Sequence, residues 1–340
     1  MIKEAILYDK LDDQRVHCHV CVRSCVIRPG ARGVCRTREN RDGTLYTLIY
    51  DQVSSACLDP IEKKPLYHFH PGTRVFSLGS IGCSFACPGC QNWQISRRQP
   101  LDNDSTLYTL TPEEEVKLAT REGAAGICWT YNDPAIWIEH TLESAQLAKA
   151  QGLYTAYVTN GTASREHLDL IGPYLDAYRV DIKGFSRESY KTVAGYANFE
   201  RILEGTQYAR ERWGMHIECV TNVTPTINDS DAELRGIAGW IATALSPDTP
   251  WHVTRFHPYE EFSHLPDTPM ERLDRAYAIG KEEGLRYIYL GNVPGDPRQD
   301  TACPNCGHVV IRRTGFSVGR IEMADGMCAK CGTGIAGRWS

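Results

Sequence analysis

Three cysteines that stand close together are the residues of this 340-residue sequence with the clearest chemical meaning. They have the spacing C-x3-C-x2-C, at Cys83, Cys87 and Cys90. Iron–sulfur clusters are bound by cysteine thiolates, usually four, so three thiolates leave one iron of a four-iron cluster open to a chelating ligand. Structural zinc is the alternative, but it takes four closed ligands, and no fourth Cys or His stands nearby in the sequence. The triad therefore predicts a [4Fe-4S] cluster with one open iron.

Two further groups of four cysteines have spacings typical of metal sites. The C-terminal group has two C-x2-C pairs with 21 residues between them, at Cys303, Cys306, Cys328 and Cys331. This is the spacing of a zinc ribbon, and Gly307 and Gly332 predict a sharp turn after each pair. The N-terminal group has the spacing C-x2-C-x3-C-x9-C, at Cys18, Cys21, Cys25 and Cys35. Zinc is the first choice for this group and an auxiliary iron–sulfur cluster is the second, because both accept four thiolates.

The composition excludes several other classes of protein. The chain is 42% apolar and 23% charged, which is typical of a globular protein, and its net charge of -5 disfavours binding to a nucleic-acid backbone. No run of about 18 apolar residues predicts a membrane-spanning helix. The first residues are charged too early for a secretory signal. Clustered cysteines in such a chain indicate metal sites, so we expect a cytoplasmic protein. Two of the cysteines outside the clusters, Cys128 and Cys219, fall in predicted strands and should be small buried hydrophobic residues.

The elements that must position the triad are strands that alternate with helices. Predicted strands cover residues 75–78, 127–131, 154–158, 177–182, 217–223, 252–256 and 287–290, and the helices between them begin near Thr111, Ser164, Ser230 and Pro269. Such alternation predicts a parallel sheet and a partial or full α/β barrel. Polar residues follow the strands, at Asn132, Asp133, Thr159, Asn160, Asp181, Lys183, Thr224 and His257. The ends of parallel strands are the usual ligand face, with ordinary loop polarity as the alternative explanation.

The pattern predicts three domains. Residues 1–70 form an N-terminal four-cysteine module with a connector, residues 71–295 form the barrel, and residues 296–340 form the C-terminal ribbon.

These motifs together resemble the radical S-adenosylmethionine (SAM) superfamily, in which the C-x3-C-x2-C triad lies in the loop after the first barrel strand. Within it, the sequence resembles the AmmeMemoRadiSam-system radical SAM enzymes, which are related to pyruvate formate-lyase activating enzymes. The resemblance extends from Cys18 to Trp339. Besides the cysteines, it rests on the segments DPIEKKPLYH at 59–68, CQNW at 90–93, WTYNDP at 129–134, VTNG at 158–161 and DIK at 181–183.

The resemblance implies a fold, a reaction and partners. The fold would be a partial (β/α)6 radical SAM barrel. The triad would hold the cluster, SAM would chelate the open iron, and reductive cleavage would give methionine and a 5′-deoxyadenosyl radical that abstracts hydrogen from a substrate. The substrate would be a protein, as in glycyl-radical activation, or a small molecule or nucleotide. A reducing partner such as flavodoxin or ferredoxin is implied, as are Memo-like and AMMECR-type partner proteins.

The resemblance also assigns roles in SAM binding. Tyr131, Asn132 and Asp133 stand where related enzymes carry the Gly-Gly-Glu motif that receives the methionyl amino group. A helix N-cap before Pro134 is the alternative role for Asp133. Thr159 and Asn160 would bond the ribose.

The later strands supply three more candidates. Asp181 and Lys183 resemble the Asp-x-Lys pair of the activating enzymes, in which Lys183 would neutralise the methionyl carboxylate. A salt bridge at the strand end is the alternative. His257 resembles a late-strand histidine that contacts the cofactor, with a structural histidine as the alternative.

The sequence departs from the family pattern at two positions. Gly89 stands where related enzymes often carry an aromatic residue near the adenine, and Val158 stands where the activating enzymes carry an Asp at a monovalent-cation site. Our hypothesis is that Trp93 replaces the lost aromatic surface.

Two functions compete with the radical reaction described above. One is a metal-stabilised binding module in which all three cysteine groups are structural. The other is a radical SAM enzyme that modifies nucleic acid, which would bind RNA or DNA in a salt-dependent manner.

Overall fold

The computed structural model of the chain describes residues 1–101 and 105–339. The chain divides into two compact units. The first contains Met1–Asp59, Arg74–Tyr178 and Glu200–Met215, and the second contains Pro60–Thr73, Arg179–Phe199 and His216–Ser340. These two units do not follow the boundaries at residues 70 and 295 that the sequence pattern predicts. The division into three domains therefore stays a prediction. Within the described ranges, none of the helices has the length and apolar character needed to cross a membrane.

Parallel strands form the centre of the first unit. Gly126–Trp129 lies in the middle and pairs in parallel with Arg74–Gly79 on one side and Tyr154–Thr159 on the other. Ser55–Pro60 lies beyond Arg74–Gly79 at the sheet edge, a strand that the sequence pattern does not predict. All four residues of Gly126–Trp129 are buried, as expected for a parallel sheet that is covered on both faces.

The helices of the first unit begin where their capping residues predict. Thr111 and Glu114 form a capping box, with Pro112 as the first helical residue, and Ser164 caps the helix that follows Tyr154–Thr159. The helices are Trp93–Ser96, Pro112–Arg121, Ile138–Ala150, Arg165–Ile171 and Glu200–Trp213, with 3-10 turns at Pro134–Trp137 and Gly172–Tyr174.

Short antiparallel strands make up the rest of the first unit. One sheet consists of Lys3–Glu4, Thr44–Thr47 and Arg38–Arg41, and a second consists of Tyr8–Lys10, Val16–Cys18 and Val26–Ile27. Gln52–Val53 pairs with Tyr108–Thr109.

The second unit repeats the parallel strand and helix pattern. Trp251–Arg255 pairs in parallel with His216–Val223 and with Ile288–Gly291. The strand Ala177–Asp181 contains the division between the units, after Tyr178. The helices are Arg187–Ala194, Asp231–Trp240 and Met270–Glu282, and shorter turns lie at Ile61–Lys63, Ile241–Leu245, Glu260–Phe262 and Pro297–Gln299.

The C-terminal segment of the second unit is an antiparallel module. Its strands are Thr301–Ala302, Val309–Thr314 and Ser317–Ile321, followed by the pair Met323–Ala324 and Met327–Cys328. A small core of Tyr67, Tyr287, Tyr289, Val310, Ile311 and Ile335 supports it. The predicted fold class, an α/β protein with parallel strands and a cysteine-bearing terminal module, is confirmed.

Candidate cluster and cofactor site

The triad lies in the loop directly after the strand Arg74–Gly79. Cys83 is buried, and Cys87 and Cys90 are half-buried. The loop turns at Gly82, whose φ is +79°. A Cβ atom at this position would lie 2.4 Å from Thr37 Cγ2, so only glycine allows this close approach.

Hydrogen bonds hold the triad sulfurs and their loop. The amide nitrogen of Asn160 donates to Cys83 Sγ at 3.4 Å, and the Ser96 hydroxyl lies 3.2 Å from Cys90 Sγ. Arg97 donates to the carbonyl oxygen of Cys87 at 3.0 Å. Burial, together with the nearby Asp133 carboxyl, raises the pKa of the Cys83 thiol. The raised pKa keeps the Cys83 thiol protonated in the absence of a metal. Metal binding displaces the thiol proton, so the thiolate forms when a metal binds.

The spacing of the three sulfurs matches a cluster better than a single ion. The sulfurs of Cys83, Cys87 and Cys90 do not all lie within 4.8 Å of one another in the described chain. A tetrahedral zinc site with Zn–S bonds of about 2.3 Å would bring its sulfurs to about 3.8 Å. The three thiols are therefore too widely spaced for one zinc ion, and as a donor set they fit a [4Fe-4S] cluster.

Asp133 connects the triad loop to the neighbouring strand. Its carboxylate is fully buried and accepts hydrogen bonds from the hydroxyls of Ser84 at 2.5 Å, of Thr159 at 2.7 Å and of Thr162. Asp133 also stands at the N-cap position directly before Pro134, as its alternative role predicts, but its side chain makes no capping hydrogen bond to any described residue. Hydroxyl groups already donate to both oxygens of the Asp133 carboxylate. The proposed hydrogen bond from the methionyl ammonium of SAM to Asp133 therefore stays a prediction.

The two residues before Asp133 also hold the loop. Asn132 accepts from the Ser80 backbone N–H at 3.1 Å and donates to the Gly82 carbonyl at 2.9 Å. Tyr131 has a φ of +74°, and its hydroxyl donates to Asp59 at 2.9 Å. The first unit thus brings together the triad, Asn132, Asp133, Thr159 and Asn160.

Some residues of this network escaped the sequence analysis. Ser84 and Thr162 were not predicted, although Ser84 lies inside the triad and Thr162 directly follows the Val-Thr-Asn-Gly segment. Trp93 is the half-buried first residue of the helix after the triad, and its role beside the adenine stays a prediction.

Asp181 and Lys183 form an ion pair in the second unit. Lys183 Nζ donates to Asp181 at 2.7 Å, and Arg179 also pairs with this carboxylate. Burial alone raises the pKa of Asp181, but the two cations outweigh it and lower that pKa below its ordinary value. The strand-end salt bridge predicted as the alternative is therefore present, and Arg179 is an added partner.

His257 is a half-buried residue of the second unit. Its Nδ1 lies 2.9 Å from an Asp267 carboxylate oxygen at the surface. Its contact with the cofactor stays a prediction.

The C-terminal cysteines converge on one point. Cys303 and Cys331 have their sulfurs 3.6 Å apart, and those of Cys306 and Cys328 are 3.9 Å apart. These values match the edge of about 3.8 Å expected for four thiolates around zinc. Gly307 and Gly332 have φ values of +70° and +71°, which confirms the predicted turns.

The electrostatics of this module also suit a metal. Hydrogen bonding with Thr333 and Cys306 lowers the pKa of the Cys331 thiol, which favours its thiolate, whereas hydrogen bonding with the other cysteines raises the pKa of Cys306. The donor set and geometry of the module are consistent with a metal-binding site.

The remaining cysteines divide into two kinds. Cys128 and Cys219 are fully buried in strands, as predicted. Cys57 is exposed and lies 2.9 Å from the Tyr131 hydroxyl. The N-terminal group, Cys18, Cys21, Cys25 and Cys35, lines a single pocket in the first unit.

The matched range of a known family includes the cysteine triad. Residues 78–241 match the Radical SAM superfamily. The chain is 39% identical over 336 residues to an uncharacterized protein of Methanocaldococcus jannaschii, a match that covers 98% of this chain and 99% of that protein. It is also 26% identical over 157 residues to the isethionate sulfite-lyase activating enzyme of Nitratidesulfovibrio vulgaris. This match covers 46% of this chain and 49% of that enzyme.

A solved structure gives the same picture of the fold. Streptococcus suis SuiB bound to S-adenosylmethionine aligns with a TM-score of 0.50 at 11% identity, covering 68% of this chain and 52% of that chain. At this identity the likeness concerns the fold alone.

Proposed function

Because the chain belongs to the radical SAM superfamily, we propose that it is an enzyme whose triad holds a [4Fe-4S] cluster, with SAM at the open iron. When bound, the cluster and SAM supply a 5′-deoxyadenosyl radical that abstracts hydrogen from the substrate. The observation that carries the proposal is a set of three thiols, Cys83, Cys87 and Cys90, with a spacing wider than zinc requires and no fourth cysteine in the loop.

The surrounding residues prepare this site. Asn132 and Asp133 fix the loop through the backbone and hydroxyl contacts described above, so the three sulfurs are positioned before any cofactor binds. The Asn160 amide donates to Cys83 Sγ, which stabilises negative charge on that sulfur. Lys183 pairs with Asp181, and its role toward the methionyl carboxylate of SAM stays a prediction.

Zinc is the metal that we propose for the C-terminal module. The sulfur separations of 3.6 Å and 3.9 Å support it, since a tetrahedral zinc ion needs about 3.8 Å. A short antiparallel module with a small core gains much of its stability from such an ion.

The substrate that we propose is a protein, and the enzyme acts in the manner of an activating enzyme. The likeness to the isethionate sulfite-lyase activating enzyme supports this class. A one-electron donor such as flavodoxin or ferredoxin would reduce the cluster. Membership of the AmmeMemoRadiSam subfamily, association with Memo-like and AMMECR-type proteins, and a cytoplasmic location stay predictions.

The experiment that tests the proposal is SAM binding after anaerobic reconstitution with iron and sulfide. We expect the wild-type protein to show visible absorption that dithionite bleaches, and to bind about one SAM per chain in equilibrium dialysis. The variant Cys83→Ala/Cys87→Ala/Cys90→Ala should lose SAM binding, whereas Cys128→Ala, which alters a buried cysteine outside the site, should keep it. A colourless wild-type protein that contains only zinc would instead support the binding module.

A further inference from the structure

The four N-terminal cysteines surround one small pocket with largely apolar walls. The pocket lies within the first unit, and its lining includes Cys18, Cys21, Cys25, Cys35, Gly33 and Arg38. All four sulfurs therefore serve one site, which both metals considered for this group require.

The spacing of the sulfurs distinguishes the two metals. Four thiolates on one zinc ion lie about 3.8 Å apart, as the C-terminal module illustrates. In a [4Fe-4S] cluster each thiolate binds a different iron, which places the sulfurs about 6 Å apart. Among the four N-terminal sulfurs of the described chain, no three lie within 4.8 Å of one another. The four sulfurs are thus more widely spaced than the ligands of a single zinc ion, which favours a cluster over zinc.

Hydrogen-bond donors converge on the sulfurs. The backbone N–H groups of Val20, Arg23 and Val34 lie near the sulfurs of Cys18, Cys21 and Cys25, respectively. The Thr37 hydroxyl lies 3.3 Å from Cys35 Sγ and can donate to it once that sulfur is a thiolate. Such bonds to coordinating sulfur stabilise the negative charge of a thiolate site and tune its reduction potential.

Arg38 gives an independent indication of what fills the pocket. This residue is almost completely buried, and its two terminal nitrogens bond the Glu139 carboxylate at 2.8 Å and 2.6 Å. Its Nε has no hydrogen-bond partner among the residues that the structure describes. A buried donor without an acceptor is costly, so an acceptor is expected inside the pocket. The sulfides and thiolate sulfurs of a bound [4Fe-4S] cluster are such acceptors.

The pocket also lies next to the triad loop. A Cβ atom on Gly33 would lie 3.8 Å from Cys25 Sγ and 3.9 Å from Cys35 Sγ, so the backbone forms one wall at close range. The carbonyl oxygen of Cys35 would lie only 2.7 Å from a Cβ atom on Gly82, the residue before Cys83. The two cysteine sites therefore have adjoining walls.

From these contacts we infer that Cys18, Cys21, Cys25 and Cys35 bind a second [4Fe-4S] cluster, with Arg38 Nε donating to one of its sulfides. All four irons of this cluster have a protein ligand. It therefore has no open position for SAM, and its place beside the triad loop suits it to electron transfer toward that site.

The test uses the full-length variant Cys83→Ala/Cys87→Ala/Cys90→Ala, reconstituted anaerobically beside the wild-type protein. We expect about four iron atoms per chain in this variant and about eight in the wild type, with the Mössbauer spectrum of a [4Fe-4S] cluster in both. Zinc should amount to about one per chain, from the C-terminal module. Circular dichroism verifies that the variant is folded, and the wild-type iron count gives a second reading that does not depend on the variant.

Each other result has a defined meaning. The second cluster would be refuted if the variant contained no iron while the wild type contained about four iron atoms and two zinc ions per chain. That result would still support the proposed function. About four iron atoms in both proteins would support the N-terminal cluster and count against a cluster at the triad.

Discussion

Replacement of Asp133 by alanine tests how the triad loop is held. The fully buried carboxylate accepts hydrogen bonds from the hydroxyls of Ser84, Thr159 and Thr162. Each hydrogen bond to a charged group contributes about 1.5–3 kcal/mol. The variant also loses the cost of burying the charge, and Ser84 and Thr162 keep their mutual hydrogen bond of 3.0 Å. We therefore expect Asp133→Ala to lower the free energy of unfolding by about 2–4 kcal/mol.

Anaerobic denaturant titration, followed by tryptophan fluorescence, measures this loss. The matched control is Asp169→Ala, because Asp169 is an exposed aspartate that also accepts side-chain hydrogen bonds, from Tyr208 at 2.7 Å and from Trp213 at 3.2 Å. Exposed groups exchange such bonds for water, so the control should lose less than about 1 kcal/mol. Equal losses in the two variants would refute the anchoring role of Asp133.

Three further predictions concern the loop glycine, the C-terminal metal and acid stability. Gly82→Ala should lower the free energy of unfolding by at least about 3 kcal/mol, and Gly123→Ala by about 1 kcal/mol. Both glycines have positive φ, so both substitutions strain the backbone. Only the Cβ atom on Gly82 would also clash, with Thr37 at 2.4 Å, whereas one on Gly123 meets no described heavy atom within 4 Å. Paired denaturant titrations measure both, and similar costs would contradict the steric argument. Cys306→Ser should reduce the zinc content from about one to near zero per chain by elemental analysis, and unchanged zinc would contradict the assignment. Burial lowers the pKa of His167 from 6.5 to about 3. Below pH 6.5 this histidine takes up a proton in the unfolded chain but not in the folded one, so the stability that it contributes is complete above pH 6.5 and is lost as the pH falls. By pH 5 the loss should be about 2 kcal/mol relative to pH 7, and His167→Leu should remove that part of the pH dependence, whereas an identical pH dependence in both proteins would contradict the shift.

Local signals explain which elements the sequence predicts. The helices that begin after Thr111, Ser164 and Ser230 follow capping residues whose side chains bond the first turn, and this chemistry is readable within a few residues. The strand Ser55–Pro60 was missed because its six residues include Asp59 and Pro60, and its place depends on a partner strand distant in sequence.

The candidate site shows the same division. The spacing of Cys83, Cys87 and Cys90 predicts their shared ligand role, and the strand ends predict the neighbourhood of Asn132 and Asp133. The hydroxyls that surround Asp133 come from separate loops, so only the tertiary structure reveals them. For the N-terminal cysteines, spacing left two metals open, because the distance between sulfurs is a property of the fold.

Reductive cleavage of SAM is the measurement that tests the central claim most directly. The anaerobically reconstituted wild-type protein, incubated with SAM and dithionite, should form 5′-deoxyadenosine and methionine, detected by mass spectrometry. The variant Cys83→Ala/Cys87→Ala/Cys90→Ala should form neither, even if it retains iron at the N-terminal site. Absence of 5′-deoxyadenosine from wild-type protein that carries its iron, or equal amounts from the variant, would contradict the account.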